Sequence, residues 1–124
     1  MVAPRTRSAL EDLQALTSAL LACGARIDEI NTLRRHLDQL KGGGLARLAG
    51  PARVLGLIMS DVVGNDLSVI ASGPTVTDTA AAVSAAEVLR QYDLAATLPP
   101  AVVAACQTER PSAPATARVE NRLI

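Results

Sequence analysis

Aromatic side chains are almost absent from this sequence, which contains no Phe, no Trp and one Tyr, Tyr92. Large aromatic residues usually contribute much of the area that a protein core buries. Hydrophobic residues still make up 49% of the 124 positions, too many for a disordered chain. They are mostly Ala, Leu and Val. We therefore expect either a highly helical domain with a thin core or a chain that packs part of its surface elsewhere.

The sequence also has no surplus of either charge. The 12 Lys and Arg residues balance the 12 Asp and Glu residues, and Lys41 is the one lysine. Because nucleic acids and anionic membranes attract proteins with excess cations, neither is expected as a partner. No apolar run approaches the roughly 18 residues that span a bilayer, and no secretion signal is recognised. Cys23 and Cys106 have no metal-ligand spacing, so we expect a cytoplasmic protein with two reduced thiols.

Helical periodicity dominates the first third of the chain and returns later. Leucines recur at helical spacing behind a capping box at Ser8 and Glu11, and Gly24 supplies a left-handed stop. The predicted helices cover about 9–23, 27–41, 79–92 and a short stretch from Pro99 to near Cys106. Residues 1–8 are expected to be a loose lead-in, and residues 108–116 a flexible connection.

One segment has the character of a buried parallel strand. The continuous apolar run at 54–59 predicts a strand that is covered on both faces. Residues 60–78 are expected to form a long loop with a short strand at 67–70, and residues 117–124 to begin another strand. This order of elements predicts a helix-rich, layered α/β fold with too few strands for a doubly wound sheet of its own.

The loop after this strand has the composition of a ligand site. Ligands bind at the carboxyl ends of strands in open α/β sheets. Two aspartates offer the oxygen ligands that Mg²⁺ prefers, two glycines allow backbone amides to approach an anion, and two hydroxyls can donate to phosphate. In chain order these residues are Asp61, Gly64, Asp66, Ser72, Gly73 and Thr75. The alternative is a purely structural loop, because the same residue types make ordinary turns.

A second group of polar residues falls on one stripe of the predicted second helix. At about 100° per residue, Arg34 and Lys41 share a face, from which they can clamp a carboxylate or a phosphate. The alternative is a solvated face with an Arg34–Asp38 ion pair. The glycines at 42–44 lack P-loop spacing and give little support for a phosphate loop. His36 borders the apolar face and is expected to be structural.

Four segments together resemble one known family. They are Leu10–Thr17, Ile27–Leu37, Lys41–Gly43 and Ser60–Asp78, in that order. They are similar to stretches of the N-terminal domain of glycerate 2-kinases, whose members carry a C-terminal MOFRL domain. The last of the four matches is long and specific, and Asn121–Leu123 resembles a further segment of that family.

The resemblance implies ATP-dependent phosphorylation of D-glycerate to 2-phosphoglycerate, with Mg²⁺ as cofactor. It also implies that residues 1–124 are a fragment of the N-terminal, partly Rossmann-like domain, without the MOFRL domain. The fragment alone is expected to be inactive, because the family's active cleft lies between two domains. Two alternatives stay open: a non-catalytic helical remnant that binds a partner, and NAD(P)H-dependent reduction of hydroxypyruvate. No GxGxxG pattern follows a strand to support the second.

The resemblance makes the polar residues of both groups candidates for an active site. Asp61, Asp66 and Lys41 are the candidate catalytic groups, and the two aspartates are also the candidate Mg²⁺ ligands. The candidate contacts to substrate or phosphate are Asn31, Arg34, Ser60, Gly64, Asn65, Ser72, Gly73 and Thr75. Asn65 replaces an aspartate that is usual in the family, so this loop carries one carboxylate fewer than is usual.

Overall fold

The computed structural model describes residues 10–76, 83–110 and 118–124. In chain order its elements are α1 (Leu10–Ala22), α2 (Ile27–Leu37), α3 (Gly44–Leu48), β1 (Arg53–Ile58), a 3-10 helix (Ile70–Ser72), α4 (Ala85–Gln91), α5 (Pro100–Gln107) and β2 (Arg118–Leu123). They form two compact units. The helical unit comprises described residues up to 39 and from 83 to 110, and the sheet unit comprises residues 40–76 and 118–124. The predicted helix-rich α/β fold with few strands is confirmed.

The helical unit has an apolar core without a fully buried aromatic ring. Helix α2 packs against α4 and α5, which also pack against each other. Leu33, Val88 and Val102, one from each of these helices, are completely buried. The buried cluster around them consists of Leu16, Leu20, Ile30, Leu37, Ala85, Leu89, Leu94, Leu98, Ala105 and Cys106. Side chains of this size let helices approach closely, so a core forms although the chain has no Phe or Trp.

Two helix ends follow local sequence patterns. Gly24 follows α1 with a φ of 74°, as the predicted left-handed stop requires. At the start of α4, the Ser84 Oγ accepts the Glu87 amide at 3.2 Å, and the Glu87 carboxylate accepts the Ser84 amide at 2.7 Å. This reciprocal capping box satisfies two amides that the first turn leaves without helical partners. The described helix therefore begins at Ala85, later than the predicted start at residue 79.

Helix α2 is shorter than the sequence predicts. It ends at Leu37, and Asp38 has an extended backbone with a φ of −107° and a ψ of 137°. The prediction of a helix to residue 41 is wrong because the chain leaves the helical path at Asp38, whose side chain is buried. Arg34 and Lys41 therefore do not share a helical stripe.

Strands β1 and β2 form a parallel two-stranded sheet. Their register pairs Val54 with Val119, so the strand predicted from the apolar run and the strand predicted near residue 124 are both confirmed. The prediction that the first strand is buried on both faces is wrong. In the described residues Leu55 is 56% exposed and Leu57 is 62% exposed. A continuous apolar run identifies a strand but not how much of each face is covered.

The prediction of a short strand at 67–70 is also wrong. The Val69 and Ile70 amides donate to the Asp66 carbonyl at 3.0 and 3.1 Å, and these bonds curl the chain into turns that lead into the 3-10 helix. Local hydrogen bonds therefore replace a strand ladder at this point.

Several predictions fall outside the described residues. They concern the lead-in at 1–8, the capping box at Ser8, the helix start at 79–82 and most of the connection at 108–116. None of the helices in the described ranges has both the length and the apolar character needed to cross a membrane.

Candidate functional site

The loop that follows β1 carries most of the predicted site residues, and its first half is largely exposed. The exposed members are Asp61, Gly64, Asn65 and Asp66. Ser60 is half-buried, and its Oγ accepts the Val62 amide at 2.9 Å. This part of the loop is therefore open to solvent at the carboxyl end of a parallel strand, where ligands of α/β proteins bind.

Asp66 forms the centre of a turn within this loop. Its Oδ1 accepts the Ser68 amide at 2.9 Å and the Ser68 hydroxyl at 2.7 Å, the pattern of an Asx turn. Among the described residues, no three His, Cys, Asp or Glu side chains come together as possible metal ligands. Mg²⁺ is usually held by one or two carboxylates together with waters and substrate phosphates, so Asp61 and Asp66 alone would not complete a Mg²⁺ site. Their assignment to the metal stays a prediction.

The end of the loop has an unusual backbone. Ala71, Ser72 and Gly73 follow one another with φ values of 50°, 62° and 58°. A left-handed conformation costs a non-glycine residue about 1–2 kcal/mol, so Ala71 and Ser72 are strained. A Cβ on Gly73 would also lie 3.2 Å from the Ser68 Cα, which is a second reason for glycine there. Strain of this kind persists only where surrounding contacts impose it.

These contacts come from the glycine-rich segment that begins at Lys41. Backbone amides of this segment donate to three consecutive carbonyls after Ala71, and we call these hydrogen bonds the backbone clasp. The pairs are Gly42 to Ser72 at 2.8 Å, Gly43 to Gly73 at 2.7 Å, and Leu45 and Ala46 to Pro74 at 3.1 and 3.3 Å. The clasp joins the two motifs that the sequence singles out, although about thirty residues separate them along the chain.

The clasp and the neighbouring turns use the amides that an anion-binding loop needs. The three amides at 42–44 all donate to backbone carbonyls, at 2.7–3.1 Å. The Ser72 and Gly73 amides donate to the carbonyls of Val69 and Ile70 at 3.0 and 2.9 Å. The amides at 42–44 are therefore occupied, which agrees with the little support that the sequence gives to a phosphate loop there. The Gly73 amide, which was expected to face an anion, is also already used.

Thr75 is hydrogen-bonded to the side chain of Asn121 on β2, a residue for which the sequence predicts no role at the site. The Thr75 hydroxyl donates to the Asn121 Oδ1 at 2.8 Å, and the Asn121 Nδ2 donates to the Thr75 carbonyl at 3.4 Å. Asn121 pairs in register with Gly56 on β1, and a Cβ on Gly56 would collide with the Asn121 side chain. A glycine inside an apolar strand indicates such a close approach, so Gly56 is the sequence feature that points to this contact.

The other predicted site residues are divided between the two units. Lys41 is half-buried at the start of the clasp, in the sheet unit. Asn31 is half-buried and Arg34 is exposed, and both lie on α2 in the helical unit. The His36 Nε2 lies 2.9 Å from the Ala105 carbonyl oxygen, which agrees with a structural histidine. The structure therefore groups Lys41 with the loop after β1.

Comparison with known proteins identifies the family. Residues 1–107 match the family described as a domain of unknown function, DUF4147. The chain belongs to the DUF4147 family. The crystal structure of glycerate kinase from Thermotoga maritima is similar to this DUF4147 chain with a TM-score of 0.80 and 41% identity. The similarity covers 97% of the chain and 28% of that structure. The predicted resemblance to glycerate 2-kinases is therefore confirmed.

Curated relatives of the DUF4147 chain include proteins named as glycerate kinases and one named for hydroxypyruvate reductase. Glycerate kinase from Rattus norvegicus is 52% identical over 100 residues, which cover 81% of the chain and 19% of the relative. D-glycerate 2-kinase from Thermotoga maritima is 52% identical over 85 residues, covering 68% and 20%. A protein from Agrobacterium vitis that is named for hydroxypyruvate reductase is 49% identical over 94 residues, covering 76% and 22%. The chain thus spans about a fifth of the length of these relatives.

Proposed function

We propose that this DUF4147 chain is part of a glycerate kinase that transfers the γ-phosphoryl group of ATP to the 2-hydroxyl of D-glycerate. The product is 2-phosphoglycerate. The observation that carries the proposal is the identity of 52% to both a glycerate kinase and a D-glycerate 2-kinase. Residues 1–107, which match the DUF4147 family, include the Lys41 segment and the loop after β1, which the backbone clasp joins in one unit.

The proposed contribution of this chain is a charged and firmly held surface. Phosphoryl transfer depends mainly on positioning and on the neutralisation of phosphate charge. Lys41 supplies a cation beside the clasp, and Ser72 supplies a hydroxyl on the strained backbone. In the sheet unit, Lys41 neutralises phosphate charge, Ser72 orients the substrate or the phosphate, and Ser60, Asp61, Gly64 and Asn65 complete the substrate-facing surface. In the helical unit, Arg34 is proposed to bind the glycerate carboxylate, and Asn31 to contact the substrate or the phosphate.

The binding of ATP and Mg²⁺ in this proposal needs residues beyond those that the structure describes. ATP supplies the transferred group, and Mg²⁺ neutralises charge on phosphate oxygens when it is bound. The amides at Gly42, Gly43 and Gly73 are used inside the fold, so these three glycines do not form a phosphate cradle. We infer that residues beyond these 124 complete the nucleotide site and that this chain alone is inactive. The coverage of about a fifth of each kinase relative supports this inference.

The test uses the natural protein that carries this chain, incubated with ATP, Mg²⁺ and D-glycerate. We expect ADP release that requires D-glycerate, and phosphorus NMR that shows a phosphate ester at the 2-position. No ADP above the blank, or a product esterified at the 3-position, would contradict the proposal. Residues 1–124 alone are expected to give no turnover, and turnover by them would refute the inference that further residues are needed.

Reduction of hydroxypyruvate is a second candidate because of the relative from Agrobacterium vitis. The same preparation is therefore mixed with NADH or NADPH and hydroxypyruvate. We expect no loss of reduced-cofactor absorbance above the blank. Sustained oxidation of either cofactor, in the absence of ADP release from ATP and D-glycerate, would replace the kinase proposal with the reductase.

A further inference from the structure

The contact between Asn121 and Thr75 depends on an empty position in the neighbouring strand. Gly56 and Asn121 are register partners on β1 and β2, so their side-chain positions lie on the same face of the sheet. A Cβ on Gly56 would occupy the place of the Asn121 amide oxygen and would lie 3.6 Å from the Thr75 Oγ1. The missing side chain at Gly56 therefore leaves the space in which Asn121 reaches Thr75.

Asn121 uses both halves of its amide on the same residue. Its Oδ1 accepts the Thr75 hydroxyl at 2.8 Å, and its Nδ2 donates to the Thr75 carbonyl at 3.4 Å. A threonine hydroxyl has one proton to donate. While that proton is given to Asn121, Thr75 has none to give to a phosphate oxygen. This argues against the predicted role of Thr75 as a phosphate donor and favours a structural partnership with Asn121.

Thr75 is also the next residue after the three carbonyls of the backbone clasp. The clasp engages the carbonyls of residues 72–74, and Asn121 engages the fourth consecutive carbonyl, at Thr75. This series of contacts begins at Ser72, one residue after the strained Ala71. A strained backbone keeps its conformation when contacts on both sides hold it. Asn121 therefore completes the support of segment 72–75 from the side of β2.

We propose that Asn121 is a positioning residue, which acts through Thr75 to hold Ser72 in its strained conformation at the candidate site. Gly56 is the position that makes this contact sterically possible. The role in catalysis rests on the proposed kinase function, whereas the role in holding segment 72–75 does not. The assignment differs from the role that the sequence suggested for Thr75, and it adds Asn121 and Gly56 to the residues that shape the site.

The first test needs no activity. Amide hydrogen exchange is measured in the full chain, at the Gly43 and Ala46 amides that donate to segment 72–75. In Asn121→Leu we expect these amides to exchange about tenfold faster, because one end of the segment is released. The control is Glu120→Gln, the adjacent β2 residue, whose carboxylate instead binds Arg53 and Arg122. Unchanged exchange in Asn121→Leu, or equal acceleration in the control, would overturn the positioning role.

The second test separates positioning from direct binding by a double-mutant cycle on the natural protein. Thr75→Val and Asn121→Leu are each expected to lower kcat/KM for D-glycerate by about tenfold to a hundredfold. The double variant should be no worse than the poorer single variant, since both remove the same contact. The separate variant Thr75→Ser, which keeps the hydroxyl, should have a kcat/KM within a few-fold of that of the natural protein.

Two results of the cycle would overturn the proposal. Multiplicative losses in the double variant would show that Thr75 acts on the ligand independently of Asn121. A change confined to thermal stability, with kcat and KM unchanged, would show that the contact serves folding alone. If the natural protein has no kinase activity, the kinase proposal fails, while the exchange experiment still decides whether Asn121 holds segment 72–75.

Discussion

The Tyr92 hydroxyl donates a hydrogen bond to the Glu29 Oε2 at 2.6 Å, which ties the one aromatic residue to the first turn of α2. The Arg26 amide donates to the same oxygen at 2.8 Å, and the Gln91 Nε2 donates to the Oε1 at 3.1 Å. Glu29 is only 7% exposed. A carboxylate in this position is stabilised by its three donors, and it links α2 to the end of α4 inside the helical unit.

This arrangement predicts an acid-sensitive helical unit. Hydrogen bonds from Tyr92 and from the Arg26 amide lower the pKa of Glu29 from its ordinary value of 4.5. The unfolded chain then binds a proton at higher pH than the folded chain does. The contribution of Glu29 to stability is therefore present above about pH 4.5 and is lost as the pH falls through the lower folded pKa. Glu29→Gln should flatten the pH dependence of unfolding in this range.

The measurement is unfolding at a series of pH values, followed by Tyr92 fluorescence in urea for the helical unit and by hydrogen exchange of the β1 amides for the sheet unit. Glu120→Gln serves as the comparison, because the guanidinium groups of Arg122 and Arg53 lower the pKa of Glu120 at the surface. High salt should weaken the Glu120 contribution by screening, but it should leave that of the buried Glu29 nearly intact. If the free energy of unfolding of Glu29→Gln depends on pH in the same way as that of the unchanged chain, this account is contradicted.

The two cysteines predict a stepwise reaction with thiol reagents. Cys23 is exposed, whereas Cys106 is 3% exposed and lies in the core of the helical unit. Burial raises the pKa of Cys106 to about 12, so almost no reactive thiolate forms there near neutral pH. We expect Ellman's reagent to modify one thiol rapidly in the native chain and the second only after unfolding. Cys23→Ser should remove the fast phase, and a fast phase that remains in this variant would contradict the assignment.

The sequence predicted helices better than it predicted their ends. The stop at Gly24 is local and was predicted, but the end of α2 was not, since Gln39 and Leu40 carry no stop pattern. The burial of Asp38, which accompanies the extended backbone there, is a tertiary effect. In the same way, the apolar run of β1 predicted a strand but could not show that Leu55 and Leu57 stay exposed.

The site was predictable where its residues are close in the chain and less so elsewhere. The loop from Ser60 to Thr75 was found from its composition after a strand. The clasp was not, because it is made by backbone amides that no side-chain pattern records. The contact from Asn121 to Thr75 crosses 46 positions, and only Gly56 in the middle of β1 hinted that another group approaches closely there.

The strained loop predicts a stabilising substitution. Ala71 has a φ of 50°, which costs about 1–2 kcal/mol in a non-glycine residue. Ala71→Gly removes that cost but adds about 0.4–1 kcal/mol of backbone entropy to the unfolded chain. The net expectation is a sheet unit that is more stable by about 0.5–1 kcal/mol.

Native-state hydrogen exchange measures both changes, because the β1 amides report the opening free energy of the sheet unit and the α5 amides report that of the helical unit. The matched control is Ala104→Gly, at an exposed position inside α5, where glycine should destabilise the helical unit by about 1 kcal/mol. Opposite signs at the two positions would support strain at Ala71. Destabilisation at both would show that the left-handed residue is not strained.

Removing the charge of Lys41 is expected to cause a large loss of activity in the natural protein. Lys41→Met keeps a long, flexible side chain but removes the charge that we assign to the neutralisation of phosphate. Loss of one group that stabilises developing charge typically costs about a hundredfold to a thousandfold in kcat, and we expect a loss of this size. Arg118→Met, which removes an exposed cation from β2 in the same unit, should change kcat less than about twofold. Similar losses in both variants would mean that general surface charge, rather than a specific contact of Lys41, determines the rate.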